Sequence, residues 1–508
     1  MKRGRPRRTA LILMDLVLIV IAFSIIGWIK TGPITSYLER YSISLAIFSA
    51  IWVVSSFFFE KYSPEGKDFS PFARKIVFSN TVTLALATWL MYLFLTYNFS
   101  RLVVFGTTGI ATLFEFIVFG AWFLFKQSHE IADEPYRAKK DSVISDTAIK
   151  KETDEPINPA RQRAVRQAII NELGEDVYTY FKRNLNLAVE STLIVSTTTK
   201  FNIDNQLNNF FKTIVNLKRI NDIRWINKFF ESVNSKLPKG GIFVCMAETK
   251  DLRKKRILNK YPPVINYIFY TFDYILKRVF PKFSLTKGIY FLLTRGENRV
   301  LSRAEVLGRI YSCGFEVLDE RFIDKHFFVI AVKVKNPAFD LEATYGPLVK
   351  LKRIGKGGKI IKVYKMRTMH PYAEYIQDYV YQRHDLQEGG KFKNDFRIST
   401  VGRLMRKLWI DELPMIFNFL KGDMKIVGVR PLSKHYFSLY TKEHQERRIK
   451  YKPGLVPPFY VDNPKTLEEI QASEQKYFDL YDKRPLWTDI RYFFIAAYNI
   501  VFRHYRSG

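Results

Sequence analysis

The most chemically loaded stretch of this sequence lies between Lys365 and Pro431, where it reads KMRTM, then DFRISTVGRLMRKLWIDELP, then NFLKGDMKIVGVRP. The adjacent acids Asp411 and Glu412 follow Asp395, Arg397, Arg403 and Arg406, and they precede Asp423, Arg430 and Pro431. Guanidinium forks match phosphate oxygens two at a time. A carboxylate pair can hold a divalent cation such as Mg²⁺ or attack a phosphorus centre. Together these residue types point to phosphoryl chemistry. A lone Asp-Glu pair is more often a solvated turn, so the argument rests on the density of cations around this one.

The local pattern predicts how these side chains are presented. Pro414 disfavours helical geometry at Leu413 but suits the first turn of a helix. Asp411 and Glu412 are therefore expected on a turn just before a helix over PMIFNFLKG, whose free N–H groups favour an anion. Lys365 and Arg367 end an alternating strand, share a face, and are predicted to point at one anion. Arg403 and Arg406 are three apart and share a helix face. Arg430, in an extended turn before Pro431, can clamp a diphosphate. Asp423 follows Gly422 and is placed to cap or orient its loop. GPLVKLKRIGKGGKIIKVYKMRTM reads as two strands around a basic glycine turn, Gly355 to Gly358, with Lys356 and Lys359 as turn residues.

Four apolar stretches, roughly 10–29, 41–59, 76–95 and 102–125, have the length of about 20 residues that crosses a bilayer as helix. Lys2, Arg3, Arg5, Arg7 and Arg8 precede the first, and Lys61, Lys67, Arg74 and Lys75 lie between the second and third. The other loops are nearly free of Lys and Arg, so both termini are expected in the cytoplasm. MKRGRPRR has the look of a signal-peptide start, but the apolar stretch after it is too long and reads as a retained anchor. Asp15 and Glu115 fall inside spans; they mark either an ion or substrate path or, as favoured by the absence of a partner cation within the spans, protonated or hydrogen-bonded acids between packed helices. The net charge of +31 fits a cytoplasmic membrane face and phosphorylated substrates better than a duplex, so no nucleic acid partner is expected. Aromatics make up 16% of the chain, which also suits a membrane interface. Cys245 and Cys313 are the only cysteines, and no disulfide framework is readable.

The expected architecture is a multidomain membrane protein. A four-helix transmembrane bundle spans 1–126 and a mixed-charge linker 127–160. An α/β Rossmann-like middle domain spans 161–335, and a mainly α (α+β) catalytic domain at the membrane interface spans 346–508. Strands are predicted at Leu193 to Thr199, Gly240 to Ala247, Gly314 to Glu320 and His326 to Val334, with helical patterns at NNFFKTIVNLKRI and INKFFESVNSKL. The LPKGG turn and the paired last strands resemble the later half of a class I methyltransferase-like Rossmann domain. No glycine-rich loop follows a first strand, so this part reads as degenerate and non-catalytic. Within it, the aromatic segment Tyr261 to Phe283 has basic flanks. It is either an interfacial or re-entrant membrane helix broken near Pro281 (residues 261–283), or a buried core helix. The tail LWTDIRYFFIAAYNIVFRHYR suits the membrane surface or a packed final helix.

KMRTM, D-x-R-x-x-x-x-G-R-x-x-R (Asp395 to Arg406), DELP, N-x-x-x-G-D-M (Asn418 to Met424), G-x-R-P (Gly428 to Pro431) and YKPGL (Tyr451 to Leu455) occur in that order. The region from Gly346 onward thereby resembles the bacterial sugar transferase family, the polyprenyl-phosphate sugar-1-phosphate transferases, in its large form with N-terminal spans. The resemblance implies a multi-pass protein of the bacterial inner membrane with a cytoplasmic catalytic domain. It implies that Asp411 attacks the β-phosphate of a nucleotide diphosphate sugar, that Glu412 holds Mg²⁺, and that undecaprenyl phosphate then takes the phosphosugar. Lys365, Arg367, Asp395, Arg397, Arg403, Arg406, Asp423, Arg430 and Pro431 are the expected substrate-binding set. Membrane lipid is an expected partner, and a homo-oligomer stays open. The sequence departs from the family at Val429, where proline is usual, at Met415, where glutamine is usual, and in the PGLVP turn. HFFVIAVKVKNPAFD stands where the family's re-entrant helix normally sits. A catalytically silent membrane scaffold that binds nucleotide-sugars or glycan-assembly partners is the alternative; the intact acid pair and arginine set argue against it.

Overall fold

The computed structural model describes residues 8–30, 34–64, 69–93, 100–130, 155–156, 158–262, 265–339, 346–383, 395–501 and 503. The N-terminal arm through Arg7, Lys67, and most of the expected linker (131–154 and 157) lie outside the described residues. The chain divides into two compact units, Met1–Ala132 and Asp133–Gly508.

The first unit holds α1 (Arg8–Ile29), α2 (Ile34–Phe58), α3 (Phe69–Leu93) and α4 (Arg101–Glu130). Among the described residues, three helical segments are long and apolar enough to cross a membrane: Arg8–Ile29, Tyr41–Phe58 and Arg101–Phe123. The third expected span falls on α3, which carries Arg74 and Lys75 near its start and buries Ser79, Asn80 and Thr83. Asn80 explains that polarity: its Nδ2 donates to Thr112 at 2.9 Å and to Glu115 Oε2 at 2.7 Å on α4.

One expectation is corrected here. Asp15 and Glu115 do have a partner cation. Lys61, three residues past the end of α2, is fully buried and places Nζ 2.8 Å from Asp15 and 2.6 Å from Glu115. The side chain reaches back into the bundle from a position that a linear reading assigns to a loop. Tyr62 adds a 3.0 Å hydrogen bond to Asp15, and Trp52 places its ring 5.0 Å from the ammonium.

The second unit is built on a five-stranded mixed sheet. Its strands are β1 (Thr192–Val195), β2 (Thr213–Arg219), β3 (Ile242–Ala247), β4 (Phe315–Ile323) and β5 (His326–Lys333), in the order β1-β2-β3-β5-β4. The first three run parallel, and β5 is antiparallel to both β3 and β4. Residues alternate between two cores. Ile214, Phe243, Cys245 and Val329 pack beneath helices Ile226–Lys236 and Arg303–Ser312. Val215, Val244, Met246 and Ile330 pack beneath Pro159–Leu173 and Glu175–Asn184. The segment read as helical at NNFFKTIVNLKRI contains β2. Five consecutive residues from Thr213 to Leu217 are buried, because a central parallel strand is covered on both faces and loses its alternation.

Within 261–283, the described residues form the first of two helices separated by a break. Helix Ile265–Tyr274 passes through a π turn, Ile275–Val279, and a 3₁₀ turn, Phe280–Lys282, into helix Ser284–Thr294. The break falls at Pro281, which cannot donate to the helical ladder.

The region from 346 onward shares a core with the sheet. Ile376, Tyr379, Val380 and Phe396 join the cluster of Phe243 and Leu307. Asn227 donates to Tyr372 Oη at 3.1 Å, and Arg309 lies 4.5 Å over the Tyr372 ring. The hairpin β6 (Leu348–Ile354) and β7 (Ile360–Met366) forms as the glycine turn predicts, with Val349 opposite Lys365. A short parallel pair, β8 (Lys425–Val427) and β9 (Gly454–Val456), brings two motif glycines together. A Cβ on Gly454 would lie 2.1 Å from the Gly428 nitrogen, so the YKPG glycine tolerates no side chain.

Candidate active site

The acid pair sits on a 3₁₀ turn, Ile410–Met415, that runs into helix Ile416–Leu420. The chain enters through Trp409, whose φ of 63° turns it sharply; its indole Nε1 donates to Tyr460 Oη at 3.1 Å and anchors the entry. Pro414 and Met415 are buried behind the turn, with Met415 packed on Val363 and Met424. The position where glutamine is usual is therefore a core position here. Val429 likewise packs with Val427, Val456 and Tyr460.

Lys365, at the end of β7, places Nζ 2.5 Å from Glu412 Oε1. Lys365, Glu412, Arg430 and Pro431 line one cavity of about 980 Å³, shared with Arg353, Tyr436, Tyr440, Phe459 and the Asn463–Thr466 turn. Asp411, next in sequence to Glu412, is not among the lining residues. Burial, then Glu412, raises its pKa above the ordinary aspartate value, while Lys365 and Arg406 pull it back. The pair is thus one carboxylate held by a lysine and one held in reserve, with guanidiniums nearby.

The other expected site residues are distributed differently. Arg367 does not join Lys365 at one anion: its Nε donates to Gly346 O at 2.9 Å, and Glu374 is the carboxylate acting on it. Arg367 N still donates to Pro347 O at 2.6 Å, one pair beyond Leu348 and Met366, so the ladder persists there and it is the side chain's own partner that separates the two cations. Asp395 and Arg397 are buried against each other, with contacts of 2.7 to 3.1 Å, and Arg397 also donates to Gln377. They fasten the 395–399 loop onto Thr368 to His370, through His370 N to Arg397 O at 2.8 Å and Ser399 N to Thr368 O at 2.9 Å. Gly402 follows from that fastening: a Cβ there would lie 1.9 Å from Thr368 O. Arg406 Nε donates to Thr368 Oγ1 at 3.0 Å and faces Asp411, whereas Arg403 donates to Ile398 O at 3.1 Å. Asp423 turns to Asn418, which is wholly buried and bonds the Lys362 and Tyr364 backbone of β7.

Two features escaped the sequence reading. Arg353 lies in the cavity with Arg430, and burial, then Arg430, lowers its pKa. Neither guanidinium has an ion-pair partner among the described residues. The signal was available: Val349, Leu351 and Arg353 share one face of β6, so a cation stands on an apolar stripe. The second feature holds Arg430 in place. Arg448 donates to Arg430 O and grips Glu474 at 2.8 and 3.0 Å, with His444 3.0 Å from the same carboxylate. Burial would raise Glu474, but Arg448 and then His444 keep its pKa below the ordinary glutamate value. Arg353→Ala is expected to raise the KM for an anionic substrate by about tenfold to a hundredfold, the weight of a charge-assisted hydrogen bond. An unchanged KM in steady-state assays would exclude Arg353 from the site.

A cavity lined by Lys365, Arg353 and Arg430, with the lysine-held Glu412 in its wall and Asp411 next in sequence, is suited to an anion, on a chain with membrane-length helices. Residues 325–503 match the bacterial sugar transferase family. A galactosyl transferase of Streptococcus agalactiae is 35% identical over 144 residues, 27% of this chain and 31% of that protein. The undecaprenyl-phosphate galactose phosphotransferase of Salmonella typhimurium is 33% identical over 152 residues, 28% of this chain and 31% of that protein. A shorter Bacillus subtilis protein, provisionally named for undecaprenyl-phosphate N-acetylgalactosaminyl 1-phosphate transfer, is 31% identical over 150 residues, 26% of this chain and 77% of its own length. The chain belongs to the bacterial sugar transferase family. It spans about a third of the length of the first two of these relatives. A solved O-methyltransferase family protein from Burkholderia thailandensis, at 12% identity and a TM-score of 0.17 over 35% of this chain, is too slight a likeness to bear on the fold.

Proposed function

We propose that this protein transfers a sugar-1-phosphate from a nucleotide diphosphate sugar to undecaprenyl phosphate at the cytoplasmic face of a bacterial inner membrane. The product would begin a lipid-linked glycan, such as an exopolysaccharide, capsule or O-antigen. The observation that carries this reading is the junction of Lys365, Glu412 and Arg430 on one cavity, with Asp411 next in sequence to Glu412. In the first step an Asp411 carboxylate oxygen bonds to the β-phosphorus, the anhydride bond to the α-phosphate breaks, and a nucleoside monophosphate leaves. In the second step an oxygen of the lipid phosphate bonds to that phosphorus and the aspartyl oxygen departs as carboxylate. Arg430 and Arg353 bind the charged phosphoryl oxygens, and Arg406 steadies Asp411.

Glu412 fits the demands of Mg²⁺. Lys365 engages only Oε1, which leaves Oε2 to ligate, and this ion usually takes one or two carboxylates together with substrate phosphates. Bound there by Glu412 and the donor, Mg²⁺ would neutralise diphosphate charge. The family's relatives named for undecaprenyl-phosphate transfer support the acceptor.

The test is the full-length protein with Mg²⁺, undecaprenyl phosphate and a panel of nucleotide diphosphate sugars. Release of a nucleoside monophosphate with one donor, lost on chelation of the metal, is the expected result. Inertness with every donor would favour a scaffold that binds nucleotide-sugars without turning them over.

A further inference from the structure

Helix Arg303–Ser312 packs against the sheet, yet two of its arginines reach into the catalytic region. They are six residues apart, about 9 Å along the helix axis. Arg309 stands over the Tyr372 ring at 4.5 Å, and Arg303 over the Phe396 ring at 4.3 Å. A guanidinium stacked on an aromatic face fixes the plane of the ring as well as its place. Both guanidiniums are themselves held, Arg303 by Glu320 at 3.0 Å and Arg309 by Glu305 at 3.0 Å. Asn227 donates to Tyr372 Oη at 3.1 Å and accepts from Arg309. Gly308, one residue before Arg309, lets the Tyr372 backbone close in, since a Cβ there would lie 2.3 Å from Tyr372 O. Tyr372 has a φ of 62°, in the left-handed region, which a tyrosine keeps only where its surroundings hold it.

The two rings sit in the two segments that seat the helix ahead of the acid pair. Tyr372 ends the segment 368–372, and Phe396 lies in 395–399. The segments pair through His370 N to Arg397 O at 2.8 Å and through a bridge between Met369 and Ile398. Thr368 then receives both ends of helix Thr400–Lys407. At the start, the capping residue Ser399 donates its N–H to Thr368 O at 2.9 Å; at the end, Arg406 Nε donates to Thr368 Oγ1 at 3.0 Å. That helix leads straight into the acid turn: Trp409 N donates to Arg406 O and Glu412 N to Trp409 O, each at 3.4 Å.

We propose that helix Arg303–Ser312 of the sheet is a positioning element of the acid site: Arg303 and Arg309, through Phe396 and Tyr372, fix the Thr368 seat that decides where helix Thr400–Lys407 and the turn bearing Asp411 and Glu412 come to rest. These four are positioning residues and act through the backbone they hold. The α/β sheet is then part of the scaffold of the reaction. This deepens the proposed function by naming what holds its nucleophile, and it rests on that reading for the reaction but not for the coupling between helix and turn.

Hydrogen–deuterium exchange of the full-length protein in nanodiscs, read by mass spectrometry, tests the coupling. Tyr372→Leu stays apolar but loses the ring and its hydroxyl; amides of 400–415 should exchange about tenfold faster while those of β3 keep the wild-type rate. Tyr372→Phe keeps the ring under Arg309 and should stay within about twofold of wild type. Arg309→Lys keeps a cation for Glu305 but offers Tyr372 no planar face, so it should reproduce the faster exchange even where Tyr372→Leu folds poorly. Both fast-exchanging variants should lose about tenfold to a hundredfold in kcat with the donor KM within about twofold, the mark of a displaced turn rather than of lost binding. Wild-type exchange over 400–415 in Arg309→Lys would overturn the proposal. Faster exchange that extends evenly through β3 would also overturn it, since Tyr372 would then only stabilise the core, and so would an unchanged kcat. If wild type releases no nucleoside monophosphate with any donor while the exchange coupling holds, the transfer reading fails and the coupling stands; release without coupling does the reverse.

Discussion

Asp411→Asn should abolish the release of nucleoside monophosphate from the donor, a fall of about 10³-fold to 10⁶-fold as for other removed nucleophiles. The amide keeps the size of the side chain and the 3₁₀ turn, so a folding defect is not the expected cause. Wild type mixed with donor and no lipid should release a single equivalent, and its mass should rise by one phosphosugar; the variant should do neither. Normal turnover by Asp411→Asn would remove the covalent intermediate from the mechanism. The pH dependence has a determined sign. Burial and Glu412 raise the Asp411 pKa, so the ionised nucleophile is lost, as pH falls, at a higher pH than an ordinary aspartate of about 3.9 would require. Lys365 opposes that rise, so Lys365→Gln should move the acid limb of the single-turnover burst further upward. A limb that stays where it was would mean that Lys365 acts on Glu412 alone.

What could be read from the linear chain follows a physical division. The acid pair, the glycine hairpin and the break at Pro281 were legible, because each depends on local geometry: proline at a helix start, glycine in a turn, alternation in a strand. Properties that depend on distant packing were not. β2 looked helical because a strand covered on both faces has no alternation to show. Asp395 and Arg397 looked like substrate ligands because nothing in the spacing reveals that each satisfies the other in the interior. Arg353 carried a local signal, a cation on the apolar stripe of β6, but only the fold brings it to the same cavity as Arg430, far along the chain. The segment 261–283 reads as either core or membrane surface in the sequence, and only the fold shows that Phe272 is exposed while Asp273 is buried.

Lys61 is the sharpest case of the same division, and it carries the second large effect. Counted by position, it is a loop cation that orients the spans. In the fold it is buried without solvent contact between Asp15 and Glu115, with Asn80 on the far oxygen of Glu115 and Tyr62 on Asp15. Asp15 lies seven residues into α1, about 10 Å along the helix axis, so the cluster joins α1, α3 and α4 near the expected cytoplasmic end. Removing one partner of a buried ion cluster leaves charge without compensation and typically costs about 3–5 kcal/mol, whereas neutralising every member together costs little. Lys61→Met should therefore destabilise the first unit markedly, read as a lower midpoint in thermal unfolding or faster proteolysis of full-length protein in nanodiscs. Adding Asp15→Asn and Glu115→Gln to Lys61→Met should recover most of the loss, since Tyr62 and Asn80 still have acceptors to bond. A Lys61→Met protein as stable as wild type would mean that the ammonium lies in water. Failure of the triple variant to recover would mean that Lys61 matters for its packing against Trp52 rather than for its charge.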